Sequence, residues 1–564
     1  MVILATIIKN IYNLITVIKT MPVYSIRKSM IPLARKVVIE ICKEDSLDDK
    51  KLKIIRNSIT KDNGGVLPKN LELIEAYREL VEEGKIANSP HVLRLIQKRK
   101  VRTMSGIANI TVLTKDLGCP GQCIYCPTEK GMPKSYLSNE PAMMRAVMNN
   151  FNSYKQVKAR LNGLMAQGHD ITKIDIRTAG GTWGAVPEWY RQEFLKGIYL
   201  ALNEGPGELK VENYELIVKS SELSDLIKEN ETADCRCVGL WVETRPDWVN
   251  EEELRKLRSY GVTGIELGIQ TTDDAVNSFC KRGHGLKESV QATKMCRDIG
   301  LKVCHHLMPN LPTATVESDL KSGRDLFENE GLRPDYLKIY PTMVTPYSAL
   351  SEMVKKDPSV HTAYTDDELM KIIAEIKQTV PEYCRIIRVI RDFSAESIEE
   401  GSKTSNLRQI IQRLGVKCRC IRCREINDLK FAVLNLKMVD REYKANDGIE
   451  HFISMEEPKL DKLIGLCRLR FPSPDAKPIF DELQGAAIIR ELHVYGRQES
   501  LDTDKPLTSN TQHLGFGKKL MEKAEELSKK AGYKKIAVIA AIGTREYYKK
   551  LGYELEGSYM MKGL

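Results

Sequence analysis

Apolar residues change their spacing along this chain, and each change marks a region. Between about 30 and 105 they fall three and four apart, as in Leu71–Leu80 and Val92–Ile96, which predicts amphipathic helices. Ser89-Pro90 supplies a helix start there. From 107 onward, short apolar runs at 107–113, 173–178, 238–243, 264–268, 302–307 and 336–340 take over, with helical stretches such as 251–260 and 286–299 between them. Strands that alternate with helices pair in parallel, and six such units predict an open (β/α)6 barrel. The periodicity loosens between about 350 and 460. Beyond it, 431–439, 462–470 and 485–494 read as strands, a helix opens near 512 and runs to about 531, and 535–539 reads as a further strand.

The first 20 residues are apolar, but Lys9, Asn10, Asn13 and Lys19 interrupt them and the unbroken run ends at Ile8. A span needs about 20 mostly apolar residues, and no positive charge precedes Val2 as a signal peptide would require. The segment reads as a short amphipathic helix, or as an extension from an upstream start codon, since Met21 and Met30 follow. No transmembrane segment, no membrane partner and a cytoplasmic location are expected.

Length, charge and cysteine usage narrow the picture. The 564 residues suffice for three or four domains at roughly 150 residues each. With 42% hydrophobic and 29% charged residues the chain is of ordinary globular composition, which excludes collagenous and low-complexity classes. A net charge of +10 points to a polyanionic partner. Two basic segments concentrate it: Lys98-Arg99-Lys100-Val101-Arg102, inside the acid-free stretch 86–115, and 403–424, with seven basic residues and no acid. A solvated surface is the other reading of both. Fourteen cysteines in short spacings fit reduced, metal-binding thiols better than a secreted disulfide framework.

The stretch Cys119-Pro120-Gly121-Gln122-Cys123-Ile124-Tyr125-Cys126 can aim three thiolates at one soft centre. Iron–sulfur clusters are held by cysteine thiolates, usually four; three would leave one iron open to a reactant. A zinc knuckle or a disulfide pair is the alternative on this loop alone. Each later strand ends in polar or glycine-rich groups: Gly180-Gly181-Thr182-Trp183, Glu243-Thr244-Arg245, Gly268-Ile269-Gln270, His305-His306, and Lys338 with Tyr340-Pro341-Thr342. Such groups at the carboxyl ends of parallel strands mark the active face of a barrel. His305 and His306 are expected to pack or hydrogen-bond rather than bind metal. A second group, Cys418, Cys420 and Cys423, seeks a cation, and structural zinc is usually four-coordinate; Cys384, His451 or a more distant residue is open as the fourth ligand. Near the end, Gln512-His513-Leu514-Gly515-Phe516-Gly517-Lys518 opens a helix, turning free N–H groups and the positive dipole end toward a pyrophosphate.

Taken together, the three cysteines, Gly180–Trp183, Gly239–Asp247, Gly264–Thr271, Lys281–His284 and Leu337–Thr342 resemble the catalytic subunit of Elongator and its stand-alone archaeal and bacterial relatives, which are radical S-adenosylmethionine (SAM) enzymes. Trp183 stands where those relatives often carry phenylalanine. Residues 512–518, with the helix and strand that follow and Gly543–Tyr553, resemble GNAT acetyltransferases. The resemblance covers about 35–564 and implies a fold: a partial (β/α)6 radical-SAM barrel fused to a GNAT acetyltransferase α+β domain, with an N-terminal helical segment. The expected divisions are an extension (1–30), a helical basic tRNA-binding region (31–105), the radical SAM domain (106–380), a zinc-binding linker (381–430) and the acetyltransferase domain (431–564).

The same resemblance implies roles. Cys119, Cys123 and Cys126 would hold a [4Fe–4S] cluster, and Gly180, Gly181 and Thr182 would lie against SAM, with Glu243 and Gln270 also in contact. Cys418, Cys420 and Cys423 would hold zinc. Gln512, Gly515, Phe516, Gly517 and Lys518 would grip acetyl-CoA, and Tyr547 or Tyr548 would protonate the leaving thiolate; Lys338 joins them as a catalytic candidate. Reductive cleavage of SAM would give a radical that takes hydrogen from the acetyl methyl. The carbon radical would add to carbon 5 of a tRNA wobble uridine, and thioester hydrolysis would leave a carboxymethyl group. Single-stranded loops are the usual targets of sequence-specific RNA readers, and Lys98, Arg99, Lys100, Arg102, Arg408, Arg413, Arg419 and Arg422 would hold the anticodon stem-loop. The electron donor is not named by the sequence. The alternatives are a protein lysine acetyltransferase with a structural cluster and a tRNA-binding scaffold without activity.

Overall fold

Parallel strands covered on both faces need apolar side chains at nearly every position, and the apolar runs of the barrel region form such strands. The computed structural model describes residues 26–44, 46–61, 63–98, 103, 105–208, 214–426, 435–473, 476–496 and 515–564. Met1–Thr20, Arg99, Lys100, Arg102, residues 431–434 and Gln512 lie outside the described residues. The chain divides into two compact units, Met1–Arg102 with Leu161–Asp170, and Thr103–Arg160 with Ile171–Leu564.

In the first unit the expected helices are Ile31–Cys42, Asp49–Lys61, Asn70–Glu82 and Pro90–Ile96. Their apolar faces meet in a core of Val37, Val38, Ile41, Leu73, Ile74, Tyr77 and Leu80. Ser89 caps the last helix by accepting from the Val92 N–H at 3.4 Å. Pro90 follows at the first turn, where its missing N–H leaves no helical bond unmade.

The second unit contains two seven-stranded sheets. The first runs β1 (Ala108–Leu113), β2 (Lys173–Ala179), β3 (Arg236–Thr244), β4 (Gly264–Gln270), β5 (Lys302–Leu307), β6 (Tyr336–Ile339) and β7 (Arg385–Val389). All pair in parallel and in sequence order, giving a curled half-barrel with β1 and β7 at its edges. Six of the seven are the expected runs. The seventh was hidden because it carries two arginines in five residues and falls after the β-then-α rhythm fades.

The second sheet has the order β13-β14-β12-β11-β10-β9-β8. Its strands are β8 (Lys437–Ala445), β9 (Gly448–Glu457), β10 (Lys462–Phe471), β11 (Ala486–Val494), β12 (Lys535–Val538), β13 (Glu554–Glu556) and β14 (Tyr559–Gly563). β8 takes up the later part of the expected run 431–439, whose residues 431–434 lie outside the described ones, and it is a polar edge strand whose exposure alternates. Asn446 and Asp447, at φ 50° and 61°, make the tight turn into β9. Only β11 and β12 pair in parallel, from Ala486↔Lys535 to Ile489↔Val538. β11 then runs on to Val494 without β12, so the sheet splits. The helix Phe516–Lys530 packs Leu520, Met521 and Ala524 against this sheet's core.

Buried charges join the two sheets. Asp335, at the foot of β6, accepts both Arg490 guanidinium nitrogens at 2.8 and 2.6 Å and the Val303 N–H at 2.9 Å. Glu450 accepts from Arg490 at 2.9 Å and from Arg470 at 3.0 Å, and Arg470 reaches Asp298 at 2.5 Å. The Asp335 carboxyl pays a burial penalty, but the arginines, Arg490 first, outweigh it and hold its pKa far below the usual carboxylate range. No helix among the described residues is long and apolar enough to cross a membrane. Replacing Asp335 by Asn removes one of the two carboxylates that hold the buried Arg490, Glu450 being the other, and is expected to cost about 3–5 kcal/mol, read as a lowered urea midpoint.

Candidate active site

The loop from β1 to Cys126 is fixed by backbone bonds: Ile124 N–H donates to the Cys280 carbonyl at 3.2 Å, and Leu350 N–H to the Ile124 carbonyl at 2.8 Å. All fourteen cysteines are free thiols, which removes the disulfide reading of this loop. The Cys126 thiol bonds to Cys123, and the Arg282 guanidinium donates to the Cys123 sulfur at 3.1 Å; together they lower the Cys123 pKa. Cys119 stands 3.5 Å from the Thr182 hydroxyl, so the cysteine loop meets the loop after β2. Three cysteines on one loop with no disulfide among them are the donor set that an iron–sulfur cluster takes.

Around it, the other strand ends bring the expected residues together. Gly180 and Gly181 lie at φ 135° and 105°, and a Cβ on Gly180 would strike the Thr114 hydroxyl. Glu243 accepts from the Tyr136 hydroxyl at 3.0 Å, and Arg391 lies over the Tyr136 ring at 4.7 Å. Gln270 takes φ 75° at the end of β4, and its buried Oε1 has no hydrogen-bond partner; Thr244 Oγ1 is orphaned in the same way. Strain and unpaired buried acceptors at strand ends are marks of a ligand site, and these fit a small polar molecule such as SAM.

Deeper in the half-barrel, sequence reasoning missed a charged layer. Glu266 accepts from His306 at 2.8 Å and also from Lys338 and Arg177. Burial alone would lower the Lys338 pKa, but Glu266 outweighs it and keeps Lys338 an ammonium ion. It therefore acts as a fixed charge, not as a base. Glu266, Cys304 and His306 have donor atoms within 4.8 Å of one another, yet two cations already occupy Glu266 and would repel a metal. His306 hydrogen-bonds as expected, and His305 Nε2 lies 3.0 Å from the Thr293 hydroxyl. One signal was readable: Glu266 is the acid inside a wholly buried strand that is otherwise apolar up to Gln270 at its end.

The second cysteine group is compact, as a single tetrahedral ion requires. Of the possible fourth ligands, His451 is tied to Asp440 at 2.9 Å and packs edge-on to Phe471, while the buried Cys384 lies under the knot with its carbonyl bonded to Ile421 N–H. The basic segment beside it is less uniformly exposed than its composition suggests. Arg424 is buried against Glu456 and Asp461, Arg419 pairs with Glu382, and Arg408 donates to the Ile386 carbonyl. Arg413 and Arg422 face solvent, as does Lys98 in the first unit.

Where β11 and β12 part, a cavity of about 570 Å³ opens, reaching Trp241 and Tyr336 of the half-barrel on one side and Glu491, Gly517, Tyr547 and Tyr548 on the other. Gly515 caps the helix at φ 70°. A Cβ on Gly517 would come within 2.8 Å of the Tyr547 hydroxyl, so glycine lets that hydroxyl rest on the helix start. Burial pushes the Tyr547 phenol up to about 12 and Tyr548 higher still. Phe516 is buried, and Lys518 is exposed.

Residues 211–322 match the radical SAM superfamily, and 334–414 match the radical SAM C-terminal domain. The tRNA uridine(34) acetyltransferase of Methanocaldococcus jannaschii is 38% identical over 558 residues, covering 95% of this chain and 98% of that protein. Elongator complex protein 3 of Homo sapiens is 35% identical over 492 residues, covering 83% and 86%. A solved structure of archaeal Methanocaldococcus infernus Elp3 with residues 1–46 deleted matches with a TM-score of 0.68 at 35% identity, over 82% of this chain and 100% of that one. The chain thus belongs to the family of tRNA uridine(34) acetyltransferases and Elongator complex protein 3.

Proposed function

We propose that this enzyme builds a carboxymethyl group on carbon 5 of the tRNA wobble uridine, using SAM and acetyl-CoA. The observation that carries the reading is a cavity lined both by half-barrel residues, Arg177 and Trp241 among them, and by the paired tyrosines beside the split sheet. A [4Fe–4S] cluster on Cys119, Cys123 and Cys126, when bound, supplies the electron for SAM cleavage. Gly180, Gly181 and Thr182 hold SAM by the backbone, Glu243 and Gln270 offer acceptors to it, and the Glu266–Lys338 layer keeps the interior charged and ordered. Acetyl-CoA enters the split between β11 and β12, whose unpaired backbone groups can bond its amides, with Gln512, Gly515, Phe516, Gly517 and Lys518 around its pyrophosphate. Tyr547 or Tyr548 stays protonated at neutral pH and gives its proton to the leaving sulfur. Cys418, Cys420 and Cys423 hold zinc as a structural staple. Lys98, Arg99, Lys100, Arg102, Arg408, Arg413, Arg419 and Arg422 attract the tRNA backbone; Lys98, Arg413 and Arg422 are among those exposed.

Anaerobic incubation with reductant, SAM, acetyl-CoA and tRNA, followed by nucleoside mass spectrometry, tests the reading. Carboxymethylated uridine is expected from the wild type and none from Cys123→Ala; product from that variant would refute the radical route. The catalytic member of the tyrosine pair is identified by Tyr547→Phe and Tyr548→Phe, one of which should lower tRNA-dependent acetyl-CoA turnover by about 10²-fold or more while acetyl-CoA binding persists. Arg413→Glu with Arg422→Glu should weaken tRNA binding and flatten its salt dependence by about one unit of slope per lost phosphate contact; unchanged affinity at low salt would remove this face from the interface.

A further inference from the structure

The turn Lys281-Arg282-Gly283-His284 is contorted so that one side chain points inward. Lys281 takes φ 54° and Gly283 φ 73°, the first an unfavourable conformation for a residue with a Cβ. Arg282 N–H bonds to the Asn277 carbonyl and Lys281 N–H to the Ser278 carbonyl, both at 3.0 Å, which closes the turn. The Arg282 guanidinium is thereby buried. One nitrogen donates to Cys123 Sγ at 3.1 Å; the other donates to the Gly268 carbonyl and faces His284 Nε2 at 2.9 Å.

Among the described residues no carboxylate touches Arg282. Its neighbour Arg245 differs, because Asp247 takes its guanidinium at 2.9 and 2.7 Å. A buried cation without an acid is costly unless another negative group compensates it. For Arg282 that group is the Cys123 sulfur.

We propose that Arg282 is a positioning residue that raises the electron affinity of the cluster held by Cys119, Cys123 and Cys126, through a charged hydrogen bond to the Cys123 sulfur. This rests on the cluster reading above. Reduction adds one electron to the cluster and moves no proton, so the reduced form carries more negative charge. A fixed guanidinium and an N–H···S bond stabilise that form more than the oxidised one, and hydrogen bonds to the sulfurs are among the factors that set such potentials. Through Gly268 the same side chain ties the cysteine loop to the strand end that carries Gln270.

The test compares wild type, Arg282→Gln and Arg282→Lys, each reconstituted anaerobically without SAM, by iron content and by redox titration followed by electron paramagnetic resonance. All three are expected to hold iron equally. Arg282→Gln should shift the midpoint potential negative by at least a tenfold change in the reduction equilibrium, ~59 mV for one electron. Arg282→Lys, which keeps the charge but loses the fork, should fall between. Wild-type iron with an unchanged potential in Arg282→Gln overturns the proposal. Loss of iron from both variants also overturns it, reducing Arg282 to a brace for the loop. A wild type that takes up no iron would instead defeat the cluster reading itself.

Discussion

The buried ionic lattice around Asp335 and Glu450 fixes how the half-barrel and the split sheet meet. Asp335 precedes β6 and Tyr336 begins it; Arg490 and Glu491 follow Ile489, the last rung that β11 shares with β12. Asp335 takes Arg490, and the Tyr336 hydroxyl donates to Glu491. Two consecutive residues on one sheet therefore register with two on the other, at the point where β11 leaves β12. Such ion pairs need not be worth more than a well-packed apolar contact, because desolvation consumes most of the attraction. Their value here is directional. A sliding apolar interface would tolerate several alignments; bidentate guanidinium–carboxylate pairs tolerate one. Tyr336, Arg490 and Glu491 of this lattice line the cavity at the split.

Within the half-barrel, charge is organised around two centres of opposite need. Glu266 is an anion surrounded by Lys338, Arg177 and His306, a cluster that satisfies itself. At the carboxyl ends of the strands, Arg282 lies against the Cys123 sulfur and the Gln270 and Thr244 oxygens lack partners. The first is a rigid support whose groups have already met their partners. The second keeps unmet capacity in a buried setting, where each unpaired acceptor favours a ligand that completes it. This contrast separates residues that order the interior from residues that receive something.

Arginine burial also changes how the net charge of +10 is read. Arg258, Arg297, Arg424, Arg468, Arg470 and Arg490 are among the largest fully buried side chains. Their charges are spent on internal carboxylates and carbonyls, so the basic surface open to a polyanion is smaller than composition implies. It is concentrated at exposed positions such as Lys98, Arg413 and Arg422.

The sequence by itself determined whatever depends on near neighbours. Three cysteines within eight residues, glycines after strands and the apolar runs of six parallel strands are local patterns, and a strand buried on both faces must be apolar almost throughout. Tertiary structure alone decided which distant residues meet. Arg282 reaches Cys123 across 159 residues, Arg490 reaches Asp335 across 155, and Arg177, Glu266, His306 and Lys338 converge only through the register of β2, β4, β5 and β6. An arginine in a sequence carries no mark of whether it will face solvent or a buried acid; long-range pairing decides that, and with it the division between scaffold and site.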